Sequence, residues 1–194
     1  MTPLTTDRLI IRELTKEDFD DYFRICHQKE VHPSVPYISD NYDIEYARFI
    51  SYIQMVYGFY GFGLWGIFQK DSNTLIGQAG IESQIVDGQG EIMLSYFLDS
   101  HYWSRGYAGE ACRCIMKYAR EELEFDRIVA VISPENLPSI RLAQALGFHY
   151  TKETVYQEQN ASLYVWQEGL GLGFAKWGVR VFVIIAGFFG EDIF

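Results

Sequence analysis

The stretch HYWSRGYAGEAC, residues 101–112, decides how the chain is read. It follows an apolar run, EIMLSYFLD (91–99), and opens GYAGEACRCIMKYAREEL (106–123), in which Ala108, Ala111, Ile115, Tyr118 and Ala119 form one apolar helical face. Between strand and helix stand Ser104, Arg105, Gly106, Tyr107, Ala108 and Gly109. Glycines at 106 and 109 suit a backbone that turns tightly or lets something come close. The first turn of a helix offers N–H groups with no intrahelical acceptor, and the macrodipole makes that end positive. A phosphate or pyrophosphate fits there, and Arg105 can add a charge. The competing reading is that the two glycines only ease the packing of helix on strand. Neither GxGxxG nor GxxxxGK[ST] occurs, which disfavours a dinucleotide Rossmann site and a P-loop.

Working outward, LTTDRLIIREL (4–14) reads as a strand, LTKEDFDDYFRIC (14–26) as a helix capped by Thr15, HPSVPYISD (32–40) as a loop and IEYARFISYIQMVY (44–57) as a second helix. Three strand-like runs follow, GFGLWGIFQ (61–69), LIGQAGIES (75–83) and 91–99, punctuated by DSN and DGQG. Beyond the helix of 106–123 come a buried strand RIVAVIS (127–133), a turn and helix SPENLPSIRLAQALGF (133–148) stopped at Gly147, and a hairpin YTKETVYQ (150–157) with ASLYVWQ (161–167). This order predicts a mixed α/β sheet with helices on both faces.

The bulk numbers narrow the class. A length of 194 residues suits one sizeable core, and 48% hydrophobic with 22% charged residues is the make-up of a globular protein. A net charge of −10 lacks the basic footprint of a general nucleic-acid binder and mildly favours a cationic partner such as an amine. Cys26, Cys112 and Cys114 form no CxxC, and His27, His32, His101 and His149 show no metal spacing, so no metal is expected. The cysteines read as reduced and buried, in a cytoplasmic protein. MTPLTTDRLIIREL does not have the pattern of a signal peptide.

The residues also carry a resemblance. WSRGYA (103–108) resembles the acetyl-CoA pyrophosphate loop Q/R-x-x-G-x-G/A of the GNAT superfamily of N-acetyltransferases, and NLPSIRLAQALGF (136–148) resembles its second signature. Trp103 in place of Gln or Arg, the N-x-x-S of Asn136 and Ser139, and the opening LTTDRLIIREL are similar to the RimJ/RimL branch. The resemblance covers roughly residues 4–167. It implies the GNAT fold: a mixed, mostly antiparallel twisted sheet splayed between its fourth and fifth strands, with the pantetheine of acetyl-CoA lying in the split.

The implied chemistry assigns roles. Trp103, Ser104, Arg105, Gly106, Tyr107, Ala108 and Gly109 would hold the cofactor's pyrophosphate, and Asn136 its amide arm. Backbone N–H groups of Phe97 or Leu98, left unpaired where strands diverge, would meet the amide arm and the developing oxyanion. Glu91, at the start of the strand beside the split, is the first candidate for the base, with a solvent-facing strand end as the equal alternative. Glu82 is the reserve. The family's helical Tyr acid is replaced by Gln144, so Ser139 takes that role by resemblance, against the plain reading of a helix-start hydroxyl. Tyr37, Tyr60, Trp65 and Tyr156 are candidates for the acceptor lining or for packing. The expected activity is transfer of an acetyl group from acetyl-CoA to a primary amine, on a peptide or small molecule. A non-catalytic acyl-CoA-binding regulatory module is the alternative.

Residues 1–168 are expected to form this one domain, and 169–194 an apolar extension rather than a domain of its own. Its core VFVIIAGFF (181–189) is nine residues, too few to span a bilayer. Burial on the same chain or on a second copy is expected, which makes a homodimer the anticipated assembly.

Overall fold

The computed structural model describes residues 2–35 and 37–169. Most of the extension, and with it the expectation for 181–189, lies outside the described residues.

The first expected strand is broken in two. β1 (Leu4–Thr5) and β2 (Leu9–Arg12) pair antiparallel around a turn in which Thr6 Oγ1 accepts from the Leu9 N–H at 2.9 Å. The hydroxyl competes with the sheet ladder for a backbone donor, and the strand ends there. At the next junction Asp18 accepts from the Thr15 N–H at 2.8 Å, and a 3-10 turn leads into α1 (Phe19–Cys26). α2 (Tyr42–Tyr52) is capped by Asn41 and runs through a π-helical turn, Ile53–Tyr57, into the short α3 (Gly58–Tyr60).

β3 (Leu64–Gln69), β4 (Leu75–Val86) and β5 (Gln89–Leu98) form an antiparallel meander. Its second turn places Asp87 and Gly88 at φ 51° and 75°, the left-handed pair that Asp-Gly hairpins prefer. α4 (Tyr107–Glu121), β6 (Arg127–Ile132), α5 (Leu137–Ala145), β7 (His149–Tyr156) and β8 (Gln159–Gln167) complete the described chain.

The strands make one 8-stranded sheet in the order β1-β2-β3-β4-β5-β6-β8-β7. Only β5 and β6 run parallel, and among the described residues they are paired at Met93 and Val129 alone. The expected fourth and fifth strands, 91–99 and 127–133, are these two. The split therefore falls where it was anticipated, and the mixed, mostly antiparallel sheet that the resemblance implies is the one observed.

Strand alternation sorts the packing. Ile92, Leu94 and Leu98 of β5 join Trp65, Ile67 and Ile81 in a core with Ala111, Cys112, Ile115 and Ala119 of α4. On the other face Phe68 and Leu75 pack with Phe19, Ile25 and Phe49 of α1 and α2, while Met93 meets Val129 and Leu163. Trp65, a candidate for the acceptor lining, is fully buried in the α4 core, edge-on to Tyr118. It is a packing residue.

Candidate active site

The loop before α4 has the backbone an anion site needs. Ser104 and Gly106 sit at φ 59° and 80°. The left-handed conformation at 106 is strained for any residue with a Cβ, although space there is open except for the Arg8 guanidinium 3.5 Å away. Gly106 is the N-cap, and among the described residues no side-chain cap bond is made at this end of α4. Gly109 has a different reason: a Cβ there would lie 3.2 Å from Arg113 Nη1 and 3.5 Å from Leu142 Cδ1 of α5. A bare Cα at 109 therefore leaves room for these side chains. Arg105 lies by the Tyr102 ring, its Cζ 5.6 Å from the centroid.

Trp103 does not turn to the helix end. Its indole N–H donates to the Leu98 carbonyl at 2.8 Å, at the close of β5. Asp99 anchors the same corner: its buried carboxylate accepts from Arg24 Nη1 at 3.0 Å and from the His101 backbone N–H at 3.0 Å, with His101 Nδ1 at 2.8 Å. Burial acts to raise its pKa, but hydrogen bonds from Gln28, His101 and Arg24 outweigh that and hold it at about 2. The loop thus starts from a tethered strand end.

The split itself offers backbone donors. Asp99 N–H bonds to Ile76 O at 2.9 Å, and the β4–β5 register continues without a shift from there. Odd-numbered residues of β5 therefore bond to β4, while Tyr96 and Leu98 direct their N–H and C=O groups toward β6. The Leu98 N–H is directed to the opening. Phe97 is corrected by the register: its N–H is directed to Gln78 of β4.

Two hydroxyls meet beside the opening. Tyr96 of β5 and Ser139 of α5 lie 2.9 Å apart, Oη to Oγ. Asn136 caps α5 by accepting from the Ser139 N–H at 3.2 Å, which fixes where that hydroxyl stands. Burial pushes the Tyr96 phenol up to about 12, partly offset by its bond to Ser139. Tyr96 was not singled out in the sequence. Its only signal there is a polar tip at a core-facing position of a strand.

The two carboxylate candidates stand on the other face. Glu91 Oε1 and Oε2 receive Arg127 Nη2 and Nε at 2.8 and 3.0 Å, a bidentate pair with Glu91 10% exposed. Glu82 lies across from Met93. Among the described residues it enters no ion pair, and burial raises its carboxyl to about 7, slightly countered by a hydrogen bond from Gln84. Its charge is felt by Tyr52, whose phenol burial raises first, and by Tyr156, pushed to about 12 by burial and then by Glu82 and Tyr37. Tyr156 is thus near both Glu82 and Tyr37, whereas Tyr60 packs with Phe59 and Phe62.

The arrangement fits an acyl-CoA: an uncapped helix end behind an open left-handed glycine, and a strand edge that among the described residues pairs with β6 at Met93 alone, leading away from it. The comparisons agree with the geometry. Residues 8–149 match the family model described as an acetyltransferase (GNAT) domain. The protein YkkB of Bacillus subtilis is 32% identical over 153 residues, 78% of this chain and 87% of that protein. The N-acetyltransferase YoaA of Bacillus subtilis is 33% identical over 168 residues, 83% and 91% of the two chains. Among solved structures, RimL, described as the ribosomal L7/L12 alpha-N-protein acetyltransferase in complex with coenzyme A, aligns at TM-score 0.71 over 85% of this chain and 97% of its own. At 12% identity that likeness is one of fold. A chain with this loop, this split and these relatives belongs to the GNAT family of acetyltransferases, which use acetyl-CoA.

Proposed function

We propose that the chain moves the acetyl group of acetyl-CoA to a primary amine by direct attack within a ternary complex, with Glu82 as base. The observation that carries this reading is the placement of a carboxyl titrating near 7 on one face of the opening and a hydroxyl pair on the other. A base poised near neutrality is best matched to removing an ammonium proton. Glu91, the first candidate from sequence, is engaged on both oxygens by Arg127, so the role passes to Glu82.

Acetyl-CoA supplies the activated thioester. Residues Ser104 to Gly109 hold its pyrophosphate on the uncapped turn of α4, and Asn136 stands by the amide arm. The Leu98 N–H, with that of Tyr96, faces the developing oxyanion. Ser139, held by Tyr96, donates to the departing sulfur. The amine enters from the α1–α2 face, past Tyr52, Tyr156 and Tyr37, whose rings suit a cation. The N-x-x-S signature at 136–139 and the fold likeness to RimL support the RimJ/RimL-like branch, so peptide N-termini head the list of acceptors, ahead of small amines. A cytoplasmic setting is consistent with this substrate class.

A panel of peptide and small-molecule amines, read by release of the coenzyme A thiol, tests the reading. Turnover on at least one acceptor, lost in Glu82→Gln, is expected. Tight coenzyme A binding with no turnover on any amine would overturn it in favour of a binding module.

A further inference from the structure

The β1–β2 turn reaches α4 and grips its first turn. Arg8 is the centre of that grip. Its Nη1 donates to the Arg105 carbonyl at 3.0 Å, and its guanidinium lies over the Tyr107 ring, 4.3 Å from the centroid. Its Nε and Nη2 meet Glu110 Oε2 at 2.7 and 2.6 Å, while its backbone N–H donates to Glu110 Oε1 at 2.9 Å. Thr6 Oγ1 donates to the same Oε1. The turn is itself anchored by Lys70, whose N–H donates to Arg8 O at 2.9 Å and whose Nζ reaches Thr6 O at 3.2 Å.

One guanidinium therefore holds residues 105, 107 and 110, on both sides of Gly106. We propose that Arg8, with Thr6, is a positioning residue for cofactor binding: it fixes the left-handed loop and draws the Glu110 carboxylate away from the phosphate site. The inference rests on the loop being the pyrophosphate site.

Two physical arguments support it. Glu110 sits in the first turn of α4, where its charge would otherwise compete with a phosphate for the same positive helix end. Its side chain is only 15% exposed and its acceptors are turned to the β1–β2 turn. The second argument concerns shape. Ser104 and Gly106 both occupy the left-handed region, which glycine adopts freely but which Ser104, with its Cβ, keeps only where its surroundings hold it. Arg8 is the side chain that bonds the carbonyl between them. A lysine offers a point charge and cannot make the fork to Glu110 and the bond to Arg105 together. This gives the opening TTDRL a task that packing alone does not explain.

The test is calorimetry of coenzyme A binding to the full chain, with the thermal midpoint of the ligand-free protein measured alongside. Arg8→Lys and Arg8→Ala should each weaken coenzyme A at least fivefold. Arg8→Ala combined with Glu110→Gln should bind more tightly than Arg8→Ala, because the uncompensated carboxylate is gone. Arg8→Lys and Glu110→Gln serve if Arg8→Ala does not fold, and Glu110→Gln alone should bind as tightly as the unaltered chain or better. Arg8 variants that melt lower yet bind coenzyme A within twofold of the unaltered chain would overturn the inference, leaving Arg8 a stabilising residue only. An unaltered chain that does not bind coenzyme A would overturn the loop assignment, and the inference with it, a result distinct from the first.

Discussion

The two faces of the split sheet are assembled differently. The α4–α5 face is made of contiguous pieces: the loop at 103–109 with the helix it opens, and the N-cap and hydroxyl of Asn136 and Ser139. The α1–α2 face brings Tyr52, Glu82, Glu91, Arg127 and Tyr156 from five separate elements and turns. On that face Glu82 and Glu91 stand two residues apart in register, Glu91 opposite Gln84 and Glu82 opposite Met93. A guanidinium from β6 meets one and tyrosines surround the other. Two carboxylates with the same chemistry diverge because of what lies beside each, not because of their place in a motif.

The sharpest break of this contrast is at Glu82. Glu82→Gln should lower turnover at neutral pH by roughly 10²-fold or more while coenzyme A affinity stays near normal. The pH profile carries the sign. A base titrating near 7 accepts protons only once deprotonated, so kcat/KM for the acceptor should climb through about pH 7 and the variant should lose that limb. Stability runs the other way. Its folded pKa is raised above the ordinary 4.5, so the folded state holds the extra proton between the two values. The linked stability is full below 4.5 and lost as pH rises through 7. The thermal midpoint of Glu82→Gln, relative to the unaltered chain, should therefore be more favourable at pH 8 than at pH 5. A limb that survives in the variant would remove Glu82 from the role.

On the other face, Gly106→Val should weaken coenzyme A by more than tenfold, at least about 1.4 kcal/mol, through left-handed strain and loss of the open approach. It should leave the pH limb of Glu82 in place. Unchanged affinity by calorimetry in a folded variant would defeat the loop assignment.

Glu91→Gln sharpens the comparison within one face. Leaving Arg127 without its carboxylate should cost about 1–3 kcal/mol in denaturant unfolding, with turnover reduced far less than in Glu82→Gln. Equal losses of turnover in both variants would return Glu91 to the chemistry. The smallest effect is expected at Tyr96. Tyr96→Phe removes the partner of the Ser139 hydroxyl and should lower kcat a few-fold, with KM for acetyl-CoA nearly unchanged, because the bond is about 1 kcal/mol net. A change confined to KM would make Tyr96 a binding residue instead.

The legible parts of the fold were those whose physics is local. Gly106 announces a left-handed cap whatever surrounds it, Asp87-Gly88 announces a hairpin, and Asn136 three residues before Ser139 announces a helix start. Where a local rule had a rival, the reading strayed: Thr6 ended a strand that looked continuous.

From its order of residues alone the chain determined most of its elements and the glycine-led start of α4, since hydrophobic period, caps and positive φ act over a few residues, while the place of the split came from the resemblance of 103–108 and 136–148 to the GNAT signatures. Only the tertiary structure decided that Arg127 pairs with Glu91 rather than Glu82, which hydroxyl stands behind Ser139, that the N–H of Leu98 rather than Phe97 is directed to the opening, and that Arg8 reaches Glu110. Each of those depends on strand register or on contacts between residues far apart in the chain, and a one-residue change of register would exchange the two faces of a strand.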